Sequence, residues 1–143
     1  MSNDPHETIL HVSTVAIGGY GVLIEGPSGA GKSDLALRLI DRGAVLVSDD
    51  YTLLKAEGHA LVASAPATIA GQIEVRGLGI LQMPTSGPVP VALVVRLTDD
   101  IERMPMDPVV RCIAGRDLAE IAIDPRHSSA PIKVELALAR ELR

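Results

Sequence analysis

The sequence predicts an α/β fold built around a phosphate-binding loop, and three adjoining stretches predict it. Gly26 to Ser33 reads Gly-Pro-Ser-Gly-Ala-Gly-Lys-Ser, the G-x-x-x-x-G-K-S pattern that wraps a chain of phosphates. Before it, Gly21 to Glu25 is a short apolar run suited to a buried strand, and after it Ser33 to Arg42 is helix-forming. Ala44 to Ser48 is a second apolar, β-branched run, expected as a buried parallel strand, and it ends on Asp49-Asp50. Carboxylates there sit at the strand edge where open α/β sheets bind ligands.

The loop's residue types follow from its task. A triphosphate carries several negative charges, and backbone N–H groups surround it only where side chains do not intervene, hence Gly26, Gly29 and Gly31, with Pro27, Ser28 and Ala30 between them. A helix starting near Lys32 adds its positive N-terminal end, Lys32 reaches the outer phosphates, and the Ser33 hydroxyl is placed to ligate Mg²⁺. Two adjacent aspartates in a strand point to opposite faces, so one of Asp49 and Asp50 is expected to aim at the phosphates.

Composition narrows the class. A chain of 143 residues is most simply one domain, with 1–7 a flexible lead-in and 8–143 folded. Apolar residues make up 47%, but there is no Phe or Trp and only Tyr20 and Tyr51, so stacking on aromatics is not the expected mode of ligand binding. A formal charge of −5 argues against a nucleic-acid partner held by a broad basic surface. The single cysteine, Cys112, forms no internal disulfide and suits a reducing cytoplasm. The first residues lack the pattern of a signal peptide and no apolar run is long enough for a bilayer, so a cytoplasmic protein without a membrane partner is expected.

In chain order, Thr8 to Ile17 reads as strand, with Gly18-Gly19 turning into the loop strand and His11 inside the first apolar stretch. The loop helix carries Leu35, Ala36, Leu39 and Ile40 on one face and stops at Gly43. Tyr51 to Val62 is a hairpin turning at Glu57-Gly58-His59. In Gly71 to Ile80, Glu74 and Arg76 share one face of a strand, and Gly77 and Gly79 permit a bend. Val91 to Leu97, Val109 to Ile113 and Leu118 to Ile123 complete the strands, with a charged loop, Thr98 to Pro108, containing Arg103. Asp124 to Pro131 is a loop leading into a helix from Ile132 to Leu142, with Val134, Leu136, Ala137 and Leu138 inward.

Two blocks together are more specific than a phosphate loop alone: Gly26 to Gly43 followed by Leu46-Val-Ser-Asp-Asp50, and Ile73-Glu-Val-Arg-Gly-Leu-Gly-Ile80. On these residues the sequence resembles the bifunctional HPr serine kinase/phosphorylases, strongly from His11 through Ile80 and weakly afterwards. The resemblance implies a mixed sheet with few helices, of the phosphoenolpyruvate-carboxykinase-like, HPr kinase C-terminal-domain-like kind. It implies ATP with Mg²⁺ as donor, an HPr-like phosphocarrier protein as acceptor and a hexameric assembly.

The same resemblance implies roles. His11, a lone strand histidine on its own pattern, stands where the family has a histidine ahead of the loop; Asp50, with Asp49 beside it, matches the family's acid/base; Glu74 matches a Mg²⁺ ligand alongside Ser33; Arg76 and Gly77 belong to the signature. Arg103 is the best match to the family's later arginine, with Arg116 and Arg126 as alternatives. Val12 replaces the usual glycine, and the later proline- and glycine-rich loop associated with dephosphorylation has no match other than Asp124 to Pro131. The family's common form has an additional N-terminal domain, so the short, catalytic-domain-only form is the expected one. A small-molecule kinase and a nucleotide-binding regulatory module without catalysis are the other classes the loop permits.

Overall fold

The computed structural model describes residues 6–143. Most of the expected lead-in lies outside the described residues, and Glu7 already opens the first strand. The strands are β1 (Glu7–Leu10), β2 (Val12–Ile17), β3 (Tyr20–Glu25), β4 (Val45–Ser48), β5 (Thr52–Glu57), β6 (Ala60–Ser64), β7 (Gln72–Val75), β8 (Gly79–Gln82), β9 (Val89–Leu97), β10 (Val109–Ile113) and β11 (Arg116–Ile123). The helices are α1 (Lys32–Asp41) and α2 (Ala130–Glu141).

One large sheet runs β1-β5-β6-β9-β3-β2-β4, with β11 also on β9 and β10 beyond it; β7 and β8 form a separate hairpin. The nine-residue β9 joins the parts. Its first residues pair antiparallel with β6 at Val89 and Pro90, and the rest runs parallel to β3 on one side and to β11 on the other. Two apolar clusters cover its two faces. On one, Val22, Ile24, Leu93 and Val95 meet Leu35 and Leu39 of α1 and Val134 and Leu138 of α2. On the other, Leu23 and Val94 meet Leu54, Leu61 and Leu118. A strand buried on both faces reads as a continuous apolar run, which is why Val91 to Leu97 was legible.

Five expectations need correction. First, β4 is not paired as a parallel strand: after α1 the chain comes beside β2, antiparallel, at the end of the sheet. Because β2 is itself antiparallel to β3, β4 keeps the direction of β3 while lacking it as a neighbour. Second, the run from Thr8 to Ile17 divides at His11 into β1, which pairs with β5, and β2, which pairs with β3. Third, Asp49 and Asp50 lie in a bend beyond β4, so strand alternation does not set their directions. Fourth, Arg76 belongs to the β7–β8 turn, past the end of β7, and so does not share a strand face with Glu74. Fifth, Leu136 faces outward while Val134, Ala137 and Leu138 are buried, since residues three and four apart share a helix face and a residue two along is turned away from it; α2 also starts two residues earlier, with Pro131 in its first turn where its missing N–H costs nothing. Helix α1 ends as expected, with Gly43 at φ 109 and its N–H on the Ile40 carbonyl.

Candidate phosphate and acceptor site

The loop between β3 and α1 is shaped by three glycines used in two ways. Gly29 and Gly31 take φ values of 81 and 101, a region that side chains disfavour, and no atom lies where a side chain on Gly29 would start. Gly26 is needed for packing, because a Cβ there would meet Ala30 Cβ at 3.1 Å and Leu97 Cβ at 3.2 Å. Lys32 opens α1 and its ammonium donates to the carbonyls of Gly26 and Pro27 at 2.8 and 3.2 Å, so one of its three donors remains for a ligand.

Asp49 forms the floor. It is buried, and one carboxylate oxygen accepts from the hydroxyls of Ser33 at 2.7 Å and Ser13 at 2.8 Å, while the other accepts from the Glu74 N–H at 3.0 Å. One side chain therefore ties α1, β2 and β7 together. A buried charge is tolerated because all its donors converge on it.

Asp50 forms the rim. Its backbone sits at φ 70, at the centre of a three-residue turn closed by the Tyr51 N–H on the Asp49 carbonyl at 2.8 Å. That turn swings its carboxylate into the open, 56% exposed, where it meets His11 Nε2 at 2.6 Å. An ionised carboxylate only accepts, so Nε2 donates. Tyr51 stacks on the His11 ring with centroids 4.9 Å apart.

Above the buried Asp49, one cleft of about 750 Å³ is bounded by His11, Ser28 to Asp34, Asp50, Tyr51, Glu74, Arg76 and Arg126. Glu74 and Arg76 stand exposed on its β7–β8 wall, and Gly77 turns that hairpin at φ 89. Arg103 is not brought there: it lies exposed in the loop between β9 and β10, and Arg116 donates to the Gly58 carbonyl away from the cleft. Of the three candidates for the later arginine, Arg126 lines the cleft. Its guanidinium grips the buried Asp124 carboxylate with two donors, at 3.0 and 2.8 Å, and this contact, with the Arg126 N–H, holds the Asp124 carboxyl well below the usual carboxylate range. Arg38 of α1 pins the same loop through the carbonyls of Pro125 and His127.

Four residues at or beneath the site were not singled out by the sequence: Ser13, Tyr51, Asp124 and Arg38. The faint signal for Ser13 is a pair of hydroxyls, Ser13 and Thr14, just after His11 in a strand that is apolar elsewhere. Nothing in the sequence marks Asp124 beyond its place before a proline.

A family model described as the HPr serine kinase C-terminal domain matches residues 5–126. The chain is 48% identical over 79 residues to the HPr kinase/phosphorylase of Clostridium tetani, a match covering 55% of this chain and 26% of that protein. To the HPr kinase/phosphorylase of Geobacillus kaustophilus it is again 48% identical over 79 residues, covering 54% and 25%. The match thus spans about a quarter of the length of these curated relatives. Among solved structures, the Hpr(Ser) kinase/phosphatase from Coxiella burnetii superposes with a TM-score of 0.80 at 32% identity, over 95% of this chain and 96% of that one. The mixed, sheet-rich α/β fold with two helices is the expected one.

Proposed function

The chain belongs to the HPr serine kinase C-terminal-domain family, and from that premise we propose that it transfers the γ-phosphoryl group of ATP to a serine hydroxyl of an HPr-like phosphocarrier protein. The observation that carries the reading is a pair of neighbouring aspartates divided by the cleft wall, one lining the cleft and one buried beneath it. Asp49 is buried against the phosphate-loop serine, and Asp50 is exposed at the mouth beside His11.

The residues fit both the donor and its metal. Gly29 and Gly31 leave the loop amides open, Lys32 keeps a donor free, and the Ser33 hydroxyl with the exposed Glu74 carboxylate offers the hard oxygen ligands that Mg²⁺ takes. When bound, Mg²⁺ neutralises charge on the phosphates. Phosphoryl transfer asks the protein for alignment and charge stabilisation more than covalent chemistry. Asp50 takes the proton of the acceptor serine as its oxygen bonds to phosphorus and the bond to the leaving ADP breaks. His11 holds Asp50 in place and Asp49 fixes Ser33, while Arg126, lining the same cleft, is the guanidinium proposed to steady charge on the transferred group.

We further propose residues 8–143 as one catalytic domain, working in the cytoplasm as a homo-oligomer, hexameric as the family resemblance implies. Incubation with labelled ATP, Mg²⁺ and an HPr-like protein should label a serine of that protein, and Asp50→Ala should abolish labelling while retaining nucleotide. Label appearing on a small metabolite instead, or nucleotide bound without turnover, would overturn the reading. Adding phosphate or pyrophosphate to the labelled acceptor then tests reversal.

A further inference from the structure

The backbone at Asp50 is in a conformation that L-residues avoid. Among the described residues only Asp50 and Ala114 have positive φ without being glycine, and Ala114 is in an ordinary hairpin turn. A residue held there costs about 1–3 kcal/mol and persists only where its surroundings over-determine it. The surroundings at Asp50 lead to one hydroxyl.

The ladder between β2 and β4 ends at the pair Thr14 and Ser48. One residue further on, Ser13 is fully buried in β2, and its side chain continues where backbone pairing stops. The Ser13 hydroxyl accepts the Asp50 N–H at 3.1 Å and donates to the Asp49 carboxylate at 2.8 Å. A hydroxyl has one proton, and Asp49 receives it, so the Asp50 N–H meets a lone pair and both bonds reinforce each other. On the far side of the turn, the Ser48 hydroxyl donates to the Tyr51 carbonyl. The Asp49 carboxylate and the Asp50 backbone are thus tied through one atom that belongs to neither, and Ser13 does not line the cleft.

The geometry points to Ser13 as a positioning residue for the transfer step, holding the turn that aims Asp50 while anchoring the Asp49 floor. This rests on the kinase reading for its catalytic consequence, although the clamp itself does not. A serine that only satisfied a buried polar group would affect stability and leave the balance of kcat and KM alone. A clamp that aims the base should affect kcat and spare nucleotide binding, because the phosphate loop keeps its own bonds.

Wild-type protein, Ser13→Ala, Ser13→Thr and Ser13→Cys should be compared for transfer to the HPr-like acceptor, with Thr14→Val as a buried control whose hydroxyl bonds only Thr52. Ser13→Ala is expected to lower kcat about tenfold or more with KM for ATP within about twofold, Ser13→Thr to restore most of it and Ser13→Cys to fall between, since misaimed groups lose rate and not affinity. Thr14→Val should lower the melting temperature without changing kcat. The cysteine chain carries the comparison if the alanine chain does not fold. Equal kcat across the series, or kcat and KM falling together with no rescue by threonine, would overturn the assignment. A second readout needs no activity: hydrogen exchange at the Asp50 amide should quicken about tenfold in Ser13→Ala and slow again in Ser13→Thr. Unchanged exchange at Asp50 would also overturn the clamp. Wild-type protein that labels no acceptor, with the exchange pattern intact, would overturn the kinase reading and support the clamp alone.

Discussion

Asp49 and Asp50 are consecutive carboxylates in opposite surroundings. Asp49 is 6% exposed and receives three donors from three elements; Asp50 has a 56% exposed side chain and one imidazole partner. On the proposed reading, the difference separates what the donor needs from what the acceptor needs: a phosphate floor must be rigid, so its charge is buried and saturated, whereas a base that meets a protein surface has to project, with its geometry imposed through the backbone.

The strongest way to break the comparison is to remove the floor's charge at constant shape. In Asp49→Asn the amide oxygen keeps the Glu74 N–H only if the NH₂ faces the two serine hydroxyls, which must then accept and lose the carboxylate as partner for their own protons. Transfer should fall about 10³-fold and unfolding in urea should show a loss of about 1–3 kcal/mol. Next comes Asp50→Gly, which should do the reverse to stability. It removes the proposed base, lowering transfer about 10²-fold or more, yet glycine accepts φ 70 without strain, so the melting temperature should rise, by about 3 °C. A fall in melting temperature would show that the turn is not strained.

Smaller effects sharpen the contrast between arginines. Arg126→Ala should lower kcat/KM about tenfold and Arg103→Ala less than about threefold, measured on the same acceptor. The smallest effect is in acid. Asp124 has its folded pKa depressed by Arg126, so its contribution to stability is present above the ordinary carboxylate value near pH 4 and is lost as pH falls toward the depressed one. The urea midpoint should therefore drop less between pH 7 and pH 3 in Arg126→Ala than in wild type.

What the sequence revealed follows the range of the interactions. The phosphate loop, the helix after it and its stop at Gly43 are set by neighbours along the chain, and they were legible. The partner of β4 was not, because Ala44 to Ser48 is equally apolar whether it lies beside β2 or β3. The turn at Asp50 depends on Ser13, 37 positions away, so strand alternation was a poor guide to where the aspartates point. Choosing among Arg103, Arg116 and Arg126 needed the loop held by Arg38, a contact 87 positions apart that leaves no local pattern. Family resemblance supplied the roles of His11, Asp50 and Glu74, and the fold brings those three to one cleft.

The branching of β9 bears on how the chain is made. The strand order β6-β9-β3 puts residues 89–97 between segments synthesised much earlier, and Gly26 of the phosphate loop packs against Leu97. A chain emerging from the ribosome therefore has its complete nucleotide motif exposed for some 60 residues before the wall behind it exists. During that interval β3 has an unpaired edge, the kind of surface that invites pairing with another chain. Stalled nascent chains ending before Val89 should bind no nucleotide, and those that have released Leu97 and the strands beyond it should acquire binding in one step.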